Sequence, residues 1–333
     1  LAKEIFPYLK ISVDENRFNG KNANLYLLTG SANLMAVPSL AKALVGRMSV
    51  FTLLPFSSCE YYETNTNFID RLWKDDLKSE KFGKYDIIDA ISNATFPEIA
   101  VDKKINRKLW FDNYLNLLLQ KDIKSIDDIK NPYKIISLLA NLAVHIGSPL
   151  NKSKIQNEIG LDNKTFEKYL SVLFKTFIIS EIKPWAKPAH IEKRFIRAPK
   201  IYFTDTNFML YLLKRDIEEI YRNDKAAMGH IFENFIATEI IKNASLLIGA
   251  EISVFNPEGK EVDFAIEYEN GKTLGIEVKL DSSLSQKDFN NIYNMRYLLK
   301  DKFHKGIILY TGDEIISMGD KIWAVPASYL WKK

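Results

Sequence analysis

GHIFENFIATEI (Gly229–Ile240) and, twenty residues on, EVDFAIEYENGKTLGIEVKL (Glu261–Leu280) decide how the rest of this 333-residue chain is read. The second stretch alternates apolar and polar residues over Val262–Tyr268 and again over Thr273–Leu280, the pattern of two strands. Between them Glu269-Asn270-Gly271 carries an Asn-Gly step suited to a tight hairpin turn. Side chains alternate along a strand, so Glu277 and Lys279 share one face while Ile276 and Val278 take the other and enter a core. A paired register brings Asp263 to the same side as Glu277 and Lys279.

The first stretch reads as a helix. Ile231, Phe232, Phe235, Ile236, Ile240 and Ile241 form a wide apolar arc, with Glu233 at its flank and Glu239 inside it. A carboxylate on a buried face needs a partner, and a metal, Lys279 or a backbone amide would each serve Glu239. Asp263, Glu277 and a main-chain carbonyl together make an oxygen donor set for Mg²⁺, with Glu233 assisting directly or through water. Lys279 beside them is placed to orient an attacking water or stabilise developing phosphate charge. The alternative is plain: Glu277 and Lys279 form a same-face ion pair on a solvated strand.

The arrangement D-x13-E-V-K behind a helix bearing G-x-x-F-E resembles the PD-(D/E)xK nuclease superfamily, which has the restriction-endonuclease-like fold. Val262 stands where that family's name has proline. The resemblance implies a metal-dependent hydrolase site of Asp263, Glu277, Lys279 and Glu233. Gln286 lies near where some relatives carry an auxiliary glutamine.

Composition sets the bounds. With 47% hydrophobic and 26% charged residues the chain is globular, long enough for two or three domains. Its one cysteine, Cys59, rules out a disulfide framework and a cysteine-based zinc site, and points to a reducing cytoplasm. The four histidines (His145, His190, His230, His304) lack ligand spacing. No run reaches the ~18 apolar residues of a membrane span, and no secretory signal is present. Leu1 opens inside an amphipathic segment, so the natural N-terminus is expected to lie elsewhere. The net charge of +4 is divided: Lys130–Lys225 holds 17 Lys and Arg against 10 Asp and Glu, whereas Gly229–Lys333 holds 12 against 15. The basic middle points to a polyanion, and the acidic C-terminal part to a site that expects metal.

From the start, Leu1–Asn16 reads as helix apart from Pro7. Leu25–Leu28 reads as a buried strand ending in Thr29-Gly30-Ser31, then a helix from Asn33 or Pro38 to Leu44 closing at Gly46-Arg47, then a second strand, Met48–Leu53. This segment, LLTGSANLM…SLAKALVGRMSVFTLLPFSSCEYY, resembles the part after the second acidic motif in prokaryotic AAA+-type ATPases that carry a C-terminal domain of unknown function. The resemblance implies that Ser31, with Thr29 and Gly30, sits at a sensor position, and that Arg47 is a candidate to contact a nucleotide phosphate. Lys42-Ala43-Leu44-Val45 intervenes before Arg47 and shifts the arginine. No G-x4-G-K-[ST] loop occurs, so ATP hydrolysis is expected only where the missing phosphate-binding part is restored.

Glu60–Asp102 is polar and helical in pieces. Lys108–Asp122 is an amphipathic helix, and its W…Y-L…L-x-x-D-I run also resembles the start of the ATPase family's C-terminal region. Lys134–Gly147, Asn151–Ile159 and Asn163–Phe177 follow as three helices, the last capped by Asp162. With Ile178–Ile182 and Lys200–Phe203 as two strands, this is the order of a winged helix. Asn163, Lys164 and Lys168 lie at the exposed start of the would-be recognition helix. Lys187, Lys193, Arg194 and Arg197 crowd the loop between the strands, with Lys200 just beyond, a set able to neutralise phosphates. Winged helices equally serve as protein-binding modules. The P-K-I-Y-F-x-D-T motif at Pro199–Thr206 recurs in the ATPase family, and Asp205 is read as a helix cap. Ser285–Leu299 then reads as helix, Lys305–Thr311 as a central strand, Ile322–Pro326 as an edge strand and Ser328–Trp331 as a short helix.

The expected fold class is multi-domain α/β. Residues 1–60 form the C-terminal remnant of an AAA+ domain and 61–130 a helical linker region. Residues 131–228 form a winged helix and 229–333 a PD-(D/E)xK nuclease-like domain. Two functions remain open. One is a DNA-associated binding platform or switch within an AAA+-type ATPase, with DNA, a protein partner or a second copy as partner and no membrane. The other is a Mg²⁺-dependent DNA nuclease.

Overall fold

The computed structural model describes residues 5–21, 25–30, 44–64, 66–74, 76–83, 86–123, 131–186 and 198–332. Helix α1 (Ile5–Phe18) carries Pro7 in its first turn, where the missing N–H has no intrahelical acceptor to lose. Its Phe6 and Leu9 pack with Leu44 in a small cluster. The strands expected at Leu25–Leu28 and Met48–Leu53 are not found: these residues pair with no strand, and Leu27 (90% exposed) and Leu53 (96%) face solvent. A strand needs a neighbour to satisfy its backbone and bury its side chains, and none is supplied among the described residues. The helix expected from Asn33 or Pro38, up to residue 43, and Ser31 lie outside the described residues.

Next come α2 (Ser58–Tyr61), opened by a Ser57–Glu60 capping box, and α3 (Phe68–Lys74). A two-residue strand β1 (Glu80–Lys81) precedes α4 (Ile87–Asn93), α5 (Pro97–Val101) and α6 (Arg107–Leu117), the last running on as a wider π turn to Ile123. The middle part holds α7 (Tyr133–Val144), α8 (Lys152–Ile159) and α9 (Asn163–Lys175). Gly160 ends α8 in a left-handed conformation, and Asp162 caps α9 by accepting the Thr165 N–H at 3.0 Å. Strands β2 (Ile179–Ile182) and β3 (Lys200–Phe203) follow as an antiparallel ribbon in register from Ile179–Phe203 to Ile182–Lys200. Then α10 (Thr206–Leu213) and α11 (Ile217–Asn223) lead into the twenty-residue α12 (Lys225–Ala244).

The last part adds β4 (Glu251–Phe255), β5 (Val262–Tyr268), β6 (Lys272–Lys279), α13 (Asn290–Leu299), β7 (Phe303–Tyr310), β8 (Glu314–Ser317) and β9 (Ile322–Pro326). They build one mixed seven-stranded sheet in the order β1-β8-β9-β7-β6-β5-β4. β5 and β6 form the expected hairpin, turned by Glu269, Asn270 and Gly271, all at positive φ. β6, β7 and β9 run parallel. β9, expected at the edge, is interior: β8 pairs with its outer side and β1 covers β8. Short strands such as β1 and β8 carry too few residues for their alternation to be read.

Both faces of the sheet are covered. Phe232, Phe235, Ile236 and Ile240 of α12 join Ile266, Leu274, Ile276 and Leu309 in a core that runs on through the helices of the middle part. On the other face Ile292, Met295 and Leu299 of α13 pack with Ala265, Phe303 and Ile308. Gly306 permits this close approach, since a Cβ there would stand 2.3 Å from Ile292 Cγ2.

Candidate functional site

The ladder between β5 and β6 ends at Phe264–Ile276. One step further, Asp263 bonds through its side chain: Oδ2 accepts the Val278 N–H at 2.8 Å. Carboxylates thus gather where the two strands cease to pair. Glu277 is 4% exposed, and its Oε1 accepts a hydrogen bond from Lys279 Nζ at 2.9 Å. Its other oxygen, Oε2, is buried without a hydrogen-bond partner. The ion pair between Glu277 and Lys279 exists, with Glu277 buried and Lys279 half-buried at the end of β6.

The centre of this cluster is a residue that sequence reading had placed just beyond the basic loop, among the groups able to neutralise phosphates. Lys200, first residue of β3, is 4% exposed, and its Nζ lies 2.7 Å from Glu261 Oε1, 3.0 Å from Glu233 Oε1 and 3.8 Å from Asp263 Oδ1. Tyr202, two residues along the strand, donates to the same Glu233 Oε1 at 2.7 Å. Gly147, at φ +75°, completes the wall: a Cβ there would stand 2.9 Å from Glu233 Oε2. Glu233 is therefore brought to the cluster, although through Lys200. Glu261, Lys200 and Tyr202 were missed. Glu261 was legible, because it precedes Asp263 by two at the entry to β5, where alternation carried one residue back puts it on the same side.

Electrostatics follow the geometry. Burial, with Glu277 and Glu233 close by, holds Asp263 well above the usual carboxylate range, against the pull of Lys200. Burial likewise pushes Glu277 up, opposed by Lys279. Burial disfavours the charge of Lys200, yet Glu233, Asp263 and Glu261 raise it above an ordinary lysine. Tyr202 is raised by burial and by the Glu233 carboxylate. Two lysines thus stand among four carboxylates, with Lys200 and Glu277 buried and Glu261 and Lys279 partly exposed.

In this arrangement the donors do not fit Mg²⁺. The ion requires oxygens at ~2.0–2.1 Å in near-octahedral order, and here a lysine ammonium occupies the midst of three of the candidate oxygens. Among the described residues no group of three or more His, Cys, Asp and Glu stands in a metal-holding arrangement.

The remaining predicted site residues lie elsewhere. Arg47 pairs with Asp14, with Nε donating to Oδ1 at 2.6 Å and Nη2 to Oδ2 at 3.0 Å. Asn163 and Lys164 are exposed at the start of α9, where Asn163 Oδ1 accepts from Gln156 Nε2 at 3.0 Å; Lys168 is half-buried. Nearby Lys152 pairs with Glu167 at 2.7 Å. Lys187, Lys193, Arg194 and Arg197 lie outside the described residues. Asp205 caps α10 through the Phe208 N–H at 2.7 Å. Glu239, fully buried, accepts the Ser58 N–H at 2.9 Å and has Lys242 at 3.6 Å, so a backbone amide and a lysine stand beside it. No helix among the described residues is long and apolar enough to cross a membrane.

Two sequence families match this chain. Residues 85–231 match a domain of unknown function, DUF8612, and residues 228–330 a second, DUF4143, found in AAA-ATPase-associated proteins. Among curated proteins the chain is similar to an uncharacterized protein of Mycobacterium tuberculosis and one of Mycobacterium bovis. Each is 24% identical over 331 residues, covering 98% of this chain and 66% of the relative. It is also similar to an uncharacterized protein of Haemophilus influenzae, 22% identical over 302 residues, covering 87% of this chain. The chain thus spans 66% of the length of these relatives. No solved structure matches it.

Proposed function

We propose that this chain is the DNA- or protein-associated part of an AAA+-type ATPase and works as a binding platform or switch, its nuclease-like unit acting through docking and not through cleavage. Lys200 carries the reading. A buried lysine amid Glu233, Glu261 and Asp263 balances from within the charge that a hydrolase of this type leaves for a metal, and it ties the ribbon of the basic middle part to the acidic C-terminal sheet. The three helices α7–α9 followed by the β2–β3 ribbon have the order of a winged helix, which supports DNA or a protein as the partner. The match to a domain found in AAA-ATPase-associated proteins supports the ATPase context.

The second reading, a Mg²⁺-dependent DNA nuclease using Asp263, Glu277 and Lys279 with Glu233, is favoured by one observation: the buried, unpartnered Oε2 of Glu277. One experiment separates the two. Supercoiled, linear and branched DNA are incubated with the chain and Mg²⁺ or Mn²⁺, beside Asp263→Ala and Lys279→Ala, and DNA binding is followed against salt. The platform reading expects no cleavage, and binding that weakens steeply with salt and ignores metal. Cleavage abolished by both substitutions would establish the nuclease instead.

A further inference from the structure

The sheet has a second charged end. Lys279 and Tyr310, paired, mark the end that carries the Lys200 cluster; at the other, where Thr273 pairs with Phe303, the sheet meets the last turn of α13 and the turn between β8 and β9. There a cleft of about 260 Å³ is lined by Arg296, Lys300, Phe303, Asp320 and Lys321. Its walls are fastened to one another. Tyr293 Oη of α13 donates to the Met318 carbonyl at 2.8 Å, Arg296 Nη2 to Asp320 Oδ2 at 2.5 Å, and the Gly306 N–H of β7 to the Lys321 carbonyl at 2.8 Å. Buried Phe303 supplies an apolar floor. Of the charged lining groups three are cations and one is a carboxylate. Among the described residues no ion pair or hydrogen bond occupies the ammonium of Lys300 or Lys321, and its bond to Asp320 leaves the Arg296 fork with donors to spare. Both lysines also stand in backbone conformations that favour glycine, Lys300 at φ +49° and ψ −119°, Lys321 at φ +64°. Glycine would take these places without strain, so what the strain sustains is two side chains.

We propose that this cleft is a binding site for a phosphoryl group, gripped by the Arg296 fork and by the Lys300 and Lys321 ammoniums, with Asp320 orienting the guanidinium. Size limits the ligand. Sites for drug-sized molecules begin at roughly 300 Å³, so the cleft takes a phosphoryl group and not a whole nucleotide. Charge sets its sign: a planar fork of N–H groups matches two oxygens of a tetrahedral anion, and the lysines add point charges. The positive field reaches past the lining, since Lys305, Lys272 and Lys321 add to burial in holding His304 below the usual histidine value. A concave basic surface of this kind concentrates anions from solution. Two sources present the group, free inorganic phosphate and the backbone of DNA. The second rests on the platform reading, and it gives the C-terminal part a DNA contact of its own, the full length of β7 away from the Lys200 cluster.

The probes are inorganic phosphate and a short DNA duplex, each applied to the intact chain and to the double variant Lys300→Gln, Lys321→Gln. Phosphate titrated against chloride at constant ionic strength is expected to shift the amide resonances of Lys300 and Lys321 saturably in the parent, and to bind the double variant at least tenfold more weakly. With the duplex, the loss of one phosphate contact lowers the slope of log affinity against log salt by about one. Weakened phosphate binding with an unchanged slope assigns the site to free phosphate; a lowered slope assigns it to the DNA backbone. A double variant that matches the parent in both measurements overturns the proposal. Lys300→Gly with Lys321→Gly guards against loss of the fold: it relieves the strain, so it should melt no lower than the parent while losing the same binding. A parent chain that cleaves the duplex removes the platform reading, and one that does not bind it removes DNA as the source. In either case the phosphate titration alone judges the cleft, and a parent that shows no saturable shift then overturns the proposal.

Discussion

Asp205 accepts hydrogen bonds from the Phe208 N–H and from Thr95 Oγ1, both at 2.7 Å, while fully enclosed. Burial outweighs both bonds and raises its carboxyl above the usual aspartate value. The folded state then binds the proton more readily than the unfolded one, so stability falls as pH rises from about 3.8 through the raised folded value. Asp205→Asn keeps a capping oxygen and removes that slope. Urea unfolding should find the variant at least as stable as the parent at pH 7, with its advantage shrinking as pH falls toward 3.8; an advantage that grew in acid would refute the assignment. Asp205 was legible as a cap because its partner lies three residues on. Asp263, Glu277 and Lys279 were legible as a group because strand alternation and a hairpin fix their faces. Lys200 was not: it reaches the carboxylates from β3 of a different sheet, and no local period records which distant strand a lysine will meet. Its basic neighbours made solvent seem its natural place.

Long periodic elements were read within a few residues. α9, α12, β5, β6 and β7 all lie where their patterns put them, because an amphipathic face of that length has one way to be buried. β1, β4 and β8 escaped notice, and β9 was taken for an edge in consequence. The interior of the sheet also holds what patterns do not show, the spacing between layers. Gly306 on β7 lies under Ile292 of α13, with a would-be Cβ 2.3 Å from Ile292 Cγ2 and 3.0 Å from Phe303 Cζ. Gly306→Ala should cost about 1–3 kcal/mol by overpacking. Ile292→Val in the same chain should recover part of that loss, measured as coupling in a double-mutant cycle by urea unfolding. Additive losses would mean that the helix shifts as a body and does not clash at this one contact.

At the scale of the molecule, sequence families and packing divide the chain differently. The two family matches meet at residues 228–231, inside α12, yet one apolar cluster runs from Phe68 to Trp331 across that point. Calorimetry should accordingly show one cooperative transition for the packed part, with calorimetric and van't Hoff enthalpies equal. Two resolved transitions, one confined to either side of α12, would show that the shared core does not couple them. The charge contrast between the middle and the C-terminal parts was visible from composition alone. The engagement of Glu60–Asp102 with the C-terminal sheet was not, since its contacts are with residues at the far end of the chain: β1 with β8, Lys305 Nζ with the Leu72 carbonyl, His304 stacked on Trp73. That pairing sets a timetable for the newborn chain. Glu80 must wait for Ile315 to leave the ribosome before its strand has a neighbour. At ~5–20 residues per second the wait is between about ten and about fifty seconds. Throughout it Phe68, Ile69 and Leu72, each fully buried in the finished fold, are exposed to whatever holds nascent chains, so the supply of such helpers will govern the yield of this protein more than the strength of any single contact.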